Sequence, residues 1–229
     1  MAFTHVESAQ NNGTATNGTI TLAAAPSSGD LVVAYVNRNG TDSISIDAAG
    51  SAWTEVVNEI PSGETGRQAQ HWKIAGASES ATITWTFGSS DSYQVIVKVF
   101  SSLTDAEVDS AINTTRDASK SSNMVVEAVD GAVISDDAVS LVFCGKDTRP
   151  VGGTYTTADN SYVSVTGVTD DQDSASAHRI YTTGTTFSGS ITINDAGPST
   201  NDNTYSTHMS FVESAGGPTG NPWNYYAQQ

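Results

Sequence analysis

Apolar residues in this chain come in short runs divided by polar turns. Gly29-Asp30 leads into Leu31-Val32-Val33-Ala34-Tyr35-Val36. Six consecutive apolar residues rich in β-branched types are too few for an ordinary buried helix. They predict a central strand covered on both faces. Asp136-Asp137 leads in the same way into Ala138-Val139-Ser140-Leu141-Val142-Phe143. Tyr93 to Phe100 is nearly all apolar and predicts another central strand. Elsewhere the pattern alternates. In Ala81 to Phe87, Ile83, Trp85 and Phe87 point one way and Thr82, Thr84 and Thr86 the other. In Gln68 to Ile74, Gln70, Trp72 and Ile74 share one face, and His71 and Lys73 share the other.

Further strands follow from runs bounded by Gly, Pro, Asn and Asp. Two opening strands are predicted at residues 2–8 and 18–23, joined by an Asn/Gly/Thr loop. Short strands are predicted near 43–47 and 53–58. The second half should carry strands near 123–129, 131–134, 138–144, 154–157, 162–168, 175–182, 187–193 and 204–213. Thr104-Asp105-Ala106-Glu107 has the capping-box pattern, with Val108 and Ile112 at helical spacing. It predicts one short helix near 103–112, crossing between the halves.

The halves echo each other. Leu31 and Val139 are 108 positions apart, as are Ile83-Thr84-Trp85 and Ile191-Thr192-Ile193. Trp72 answers Tyr181, and Tyr93, Val95, Val97 and Val99 answer Tyr205, Thr207, Met209 and Phe211. This predicts an internal duplication, with repeat-like halves at about 29–100 and 136–213. The copies can fold separately or intertwine. With no linker between them, and about five strands each to cover a very apolar centre, a single body over 1–213 is expected. The fold class is therefore all-β: a single jelly-roll-like antiparallel β-sandwich built from two intertwined sequence repeats, with one short helix.

Composition sharpens this. Of 229 residues only 15% are charged, and Ser, Thr, Asn and Gly fill the difference. The formal net charge is −16, with nine Lys and Arg in all. Such a surface repels phosphate backbones and anionic lipid, which argues against nucleic acid or a membrane as partner. Met1 to His5 has neither a basic start nor an apolar stretch, so no secretory signal is expected. Cys144 is the single cysteine and continues an apolar strand, as a small buried residue does.

Candidate chemistry is sparse. His5, His71, His178 and His208 lack metal-ligand spacing, and His71 and His208 fall on apparently outward strand faces, where a solvated side chain is expected. No Gly-x-Ser-x-Gly elbow occurs. Carboxylate pairs such as Asp136-Asp137 and Asp170-Asp171 lie in turns or loops. Asp170-Asp171-Gln172-Asp173 is the best calcium candidate but lacks the spacing of a calcium loop, so a solvated acidic loop is expected. Trp72 and Trp85 share faces with apolar residues and should pack in the core. Trp53, whose face also carries Glu55, is the sugar-stacking candidate. No cofactor, metal or catalytic group is expected.

With these residues laid out, the chain resembles a β-sandwich module common in tailed-phage virion proteins and phage-derived surface proteins. The resemblance rests on Gly29-Asp30-Leu31-Val32-Val33-Ala34, Trp53-Thr54-Glu55-Val56 and Trp72-Lys73-Ile74-Ala75-Gly76-Ala77-Ser78-Glu79. The run Tyr93 to Phe100 and the strand at Val139 extend it nearly to Glu213. A Gly-Trp pair often opens the second motif, whereas Ser51-Ala52-Trp53 stands here. The resemblance implies a non-catalytic virion part: a capsid decoration or cement protein, or a tail or fibre component. Its partners would be the phage major capsid protein or tail subunits, and further copies of itself. Its place would be the virion surface, after synthesis in the host cytoplasm. A glycan-binding module of a tail fibre or host-surface adhesin is the alternative.

Residues 214–229 change character. Gly216-Gly217-Pro218 and Asn221-Pro222 precede Trp223, Tyr225 and Tyr226. Disordered tails are poor in aromatics, and such residues anchor interfaces. The segment is expected to be an extended arm outside the fold, with Trp223, Tyr225 and Tyr226 as partner-binding residues.

Overall fold

A computed structural model describes residues 3–47, 50–60, 66–102, 106–117, 124–126, 133–146, 155–157, 162–169, 173–186, 191–195 and 204–213. Within them the chain is all-β and antiparallel, with no helix. The first half supplies β1 (Phe3–Thr21), β2 (Leu31–Asn39), β3 (Ile44–Ile46), β4 (Thr54–Glu59), β5 (Gly66–Ile74) and β6 (Thr82–Ser102). They form one sheet in the order β1-β6-β2-β5-β4, with β3 also paired to β6.

The second half supplies β7 (Ala106–Asp117), β8 (Met124–Val126), β9 (Val133–Ile134), β10 (Ala138–Lys146), β11 (Tyr155–Thr157), β12 (Val163–Thr169), β13 (Asp173–Tyr181), β14 (Thr185–Thr186), β15 (Ile191–Asp195) and β16 (Thr204–Glu213). Its main sheet, read from β7, runs β7-β16-β10-β13-β12. Beside it lie a three-stranded sheet, β8-β15-β11, and the short pair β9-β14.

Read in chain order, the pairings of the first half recur in the second. The first strand pairs with the last, which pairs with the next central strand, and so on to the edge. The turns before the central strands also match. Gly29 has φ +93° and Asp137 has φ +54°, each two residues ahead of Leu31 and Val139. Glycine adopts that left-handed backbone at no steric cost, and Asp is among the few other residues that tolerate it.

Among the described residues three cores hold these layers. In the first half, Ile20, Ile44, Ile83, Trp85 and Phe87 pack on Val32, Ala34, Val36, Ala69, Val95, Val97 and Val99. The far parts of β1 and β6, with β3, thus fold back over one face of their own sheet. A smaller cluster, Ile134, Ala138 and Tyr181, lies in the second half. The third core is the seam between the two main sheets. There Phe3, Leu31, Val33, Tyr35, Ile96, Phe100 and Ala106 meet Val139, Leu141, Phe143, Met209 and Phe211. Leu31 to Val36 alternate between the first core and the seam, which is why the run carries no polar position. At roughly 1.5–3 kcal/mol for each large side chain fully buried, the seam holds the two halves as one body.

Several expectations are corrected. The two opening strands are one, because β6 gives β1 a partner from Phe3 to Thr21. Ala81–Phe87 and Tyr93–Phe100 likewise belong to one strand, β6. The predicted helix is strand from Ala106 onward, and residues 103–105 lie outside the described residues. Ala106, Glu107 and Val108 pair with Glu213, Val212 and Phe211. A capping box contributes about 1 kcal/mol, and Ser110, Asn113, Thr114 and Thr115 are weak helix formers. A full ladder against β16 outweighs both. Nor do the halves intertwine: among the described residues, every strand of a main sheet comes from one half.

Two sequence echoes were also out of register. Val33 pairs with Trp72 and Lys98, and Leu141 pairs with His178 and Met209. By place in the pairing, Trp72 and Lys98 flank Val33 as His178 and Met209 flank Leu141, whereas the expected echoes set Trp72 against Tyr181 and Val97 against Met209. A slip of one residue in a strand exchanges its two faces, so residue type alone aligned the wrong side of β6 with β16.

Candidate functional site

The expected docking residues Trp223, Tyr225 and Tyr226 lie outside the described residues, as do Asp170, Asp171 and Gln172 of the acidic loop. Among the described residues no group of three or more His, Cys, Asp or Glu could hold a metal ion. Among the described residues, His71, His178 and His208 lie inside the fold with several other polar side chains.

His71 and His208 are not solvated as expected; they are 2% and 0% exposed. Their strands are covered on both faces, so alternation no longer separates inside from outside. His71 lies 3.6 Å from Glu55 through Nε2, and burial lowers its pKa while Glu55 opposes that shift. His208 Nε2 and the Tyr162 hydroxyl each lie 2.8 Å from Ser140 Oγ, all three buried. Burial holds His208 down to about 4 and pushes the Tyr162 phenol up. A serine beside an imidazole invites comparison with a nucleophile and its base. Here Ser140 is fully buried in β10 and its hydroxyl is shared with a phenol, a structural network in the core.

Trp85 is fully buried in the first core, and Trp72 sits at the seam edge-on to Phe211, with ring centroids 5.3 Å apart. Both therefore pack as expected. Trp53 is partly buried against the first core, and Lys73 Nζ lies 4.6 Å above its ring. That ammonium is itself held by Glu79, whose carboxylate also accepts the N–H groups of Ser51 and Gly76. Burial works against the charged form of Glu79, but the Lys73 hydrogen bond and the two backbone donors overcome it. They hold the pKa at about 2. The recess lined by Asp47, Trp53, Lys73, Ser80, Thr82 and Ile83 holds about 10 Å³, room for a water.

Sequence reading missed the group that closes one end of the seam. Lys98 is fully buried between the sheets, with Nζ 3.2 Å from Ser8 Oγ and 3.5 Å from His178 Nδ1. His5 Nε2 lies 2.8 Å from the same serine, and its ring stacks on His178 with centroids 4.5 Å apart. Phe100 packs edge-on to His178 at 4.9 Å. One signal was legible: Lys98 is the single charged residue in the apolar run Val95 to Phe100.

Cys144 is buried as expected, with Sγ 3.5 Å from the Ala175 carbonyl. Asp136, one of the turn carboxylates, accepts the Gly184 N–H at 2.5 Å. Both side chains serve the fold.

Fold and site define an all-β protein of two packed sheet assemblies with polar groups buried inside them, some of which bond one another. Comparison with protein families, with curated proteins and with solved structures finds no match.

Proposed function

We propose that the chain is a non-catalytic structural part of a bacteriophage particle, a capsid decoration or cement protein. It acts as a stiff block and attaches through exposed strand edges and the aromatic arm at 214–229. Counting the long β1 and β6 as two strands each, the described residues of the first half form eight strands in two layers. The described residues of the second half form eight in a like arrangement, with β9 and β14 added. We read each half as a jelly roll and the chain as a duplicated pair of them. Jelly rolls serve in viral capsids and lectins, a likeness of fold and so an analogy for role.

The observation that carries the reading is the seam. Its core is apolar, so the large contact between the halves is a joint and not a substrate cleft. Stiff blocks suit repetition on a lattice, where weak single contacts add by avidity. The acidic, Thr-rich exterior suits the outward face. The test is cosedimentation with heads of the phage that encodes the chain, comparing the full chain with residues 1–213. Saturable binding that weakens at least about tenfold on truncation supports the reading. Absence of binding to heads and tails alike overturns it.

A glycan-binding module of a tail fibre or adhesin is the second reading, favoured by the partial exposure of Trp53 beside Asp47, Ser80 and Thr82. A glycan array, read with and without calcium, decides it: hits lost in Trp53→Ala favour this role over the first.

A further inference from the structure

Among the described residues the two main sheets end in four edge strands, β1 and β4 in the first half and β7 and β12 in the second. An open edge invites another chain to pair with it, and proteins guard edges with charge, shortness or irregularity. Three of the four are guarded. β4 has six residues, Glu55 and Glu59 among them, and a break in register between Glu55 and Val57. β12 has seven residues and an irregularity between Val163 and Thr166. β7 carries Glu107, Asp109, Arg116 and Asp117, and Asp109 accepts from the N–H and the hydroxyl of Ser135.

β1 holds in the first half the place that β7 holds in the second, each paired with the last strand of its half, yet it is unguarded. It is 19 residues long, and from Ser8 to Thr21 no residue is charged. Glu7, its one carboxylate, is turned onto the Ala23 N–H. Gln10, Asn11, Thr14, Thr16 and Asn17 are exposed. The backbone shows which groups face out. The Asn12 N–H is taken by Asn11 Oδ1 at 2.9 Å, so it points away from β6. In an antiparallel ladder the backbone groups of alternate residues point toward the partner and away from it, and the register with β6 is unbroken from Glu7 to Ala15. Gln10 and Thr14 therefore turn both N–H and C=O outward.

We propose that this edge is a dimer interface: β1 of one copy pairs antiparallel with β1 of a second copy across a two-fold axis, through the stretch from Ser8 to Ala15. Charge and symmetry identify the occupant. Two chains of net charge −16 repel each other, and along this stretch they meet with no like charges opposed. A basic partner would be drawn to the acidic surface and finds no carboxylate between Ser8 and Thr21. An edge set antiparallel to its own copy is self-complementary, and the contact closes at two. The amide and hydroxyl side chains of Gln10 and Thr14 can bond across such a pair. The inference goes beyond the capsid reading and does not need it. Its test uses the chain alone, so it can fail while binding to heads succeeds, or the reverse.

Sedimentation equilibrium of the full chain over a range of concentrations should show monomers and dimers in exchange. The dimer should tighten as salt is added, because screening relieves the repulsion between acidic bodies and breaks no ion pair at the edge. Hydrogen exchange, read residue by residue, should show the amides of Gln10 and Thr14 protected at high chain concentration and exchanging at least about tenfold faster on dilution. Thr14→Pro removes an outward N–H without costing a bond to β6, and should weaken the dimer at least about tenfold. Gln10→Glu keeps the side-chain shape and adds a charge on each copy near the axis, so it should weaken the dimer at low salt and less at high salt. It carries the test if the proline variant does not fold. A chain that stays monomeric at every concentration, a dimer that salt dissociates, or a dimer in which the Gln10 and Thr14 amides exchange as they do in the monomer would overturn the proposal.

Discussion

Tyr35 and Phe143 stack face to face across the seam, with ring centroids 5.2 Å apart and planes 21° from parallel. They hold corresponding places in β2 and β10, so each strand presents the middle of its seam-facing side to the other. Both are fully buried. Truncating either to Ala should cost about 3–5 kcal/mol. The double variant should cost less than the sum, by about 0.5–1.5 kcal/mol for the lost ring pair. Urea unfolding of the four proteins measures this; strict additivity would mean that the rings do not interact.

Glu79 ties two turns together by accepting from Lys73, Ser51 and Gly76. Its pKa is depressed from 4.5 to about 2, so its contribution is complete above pH 4.5 and disappears as pH falls through 2. The shift corresponds to about 3 kcal/mol. Glu79→Gln should lose a comparable amount at pH 7, because it leaves Lys73 buried without its counter-charge. It should also flatten the acid limb of the stability curve between pH 4.5 and 2. A variant as stable as the parent at pH 7 would contradict this role.

His208 should act over a different range. Its imidazole is kept neutral in the fold, with a pKa near 4 against 6.5 for an open chain. The unfolded chain takes up the proton first, so stability is full above pH 6.5 and declines as pH falls toward 4, by about 3 kcal/mol. His208→Gln can keep a hydrogen bond to Ser140 without the ionisation. Thermal unfolding from pH 8 to pH 4 should show the variant losing less stability on acidification than the parent. Parallel curves would count against a buried neutral imidazole.

The central strands were legible because a run buried on both faces is nearly all apolar: Leu31 to Val36 has no polar position, and Val139 to Phe143 has one, the buried Ser140. The faces of β5 and β16 were not, because alternation reports one-sided burial and both strands are covered twice. That is how His71 and His208 were taken for surface residues. The helix was misread because the capping box is local, while the partner that overrides it, β16, lies about a hundred residues away. Of the candidate site, the core roles of Trp72, Trp85 and Cys144 were readable from their apolar neighbours. The Lys98, His178 and His5 group was not, since three bases far apart in sequence meet only when two sheets stack.

The central claim is that two separately built halves are joined by the seam into one rigid block. The most direct measurement follows both halves through one denaturant titration of a Trp223→Phe protein. Fluorescence of Trp53, Trp72 and Trp85 reports on the first half, and the thiol of Cys144 reports on the second through its exposure to a labelling reagent. The account predicts coincident midpoints, both shifted equally by Phe143→Ala. Two separated transitions, with the second-half substitution moving only the Cys144 curve, would show that the halves stand alone.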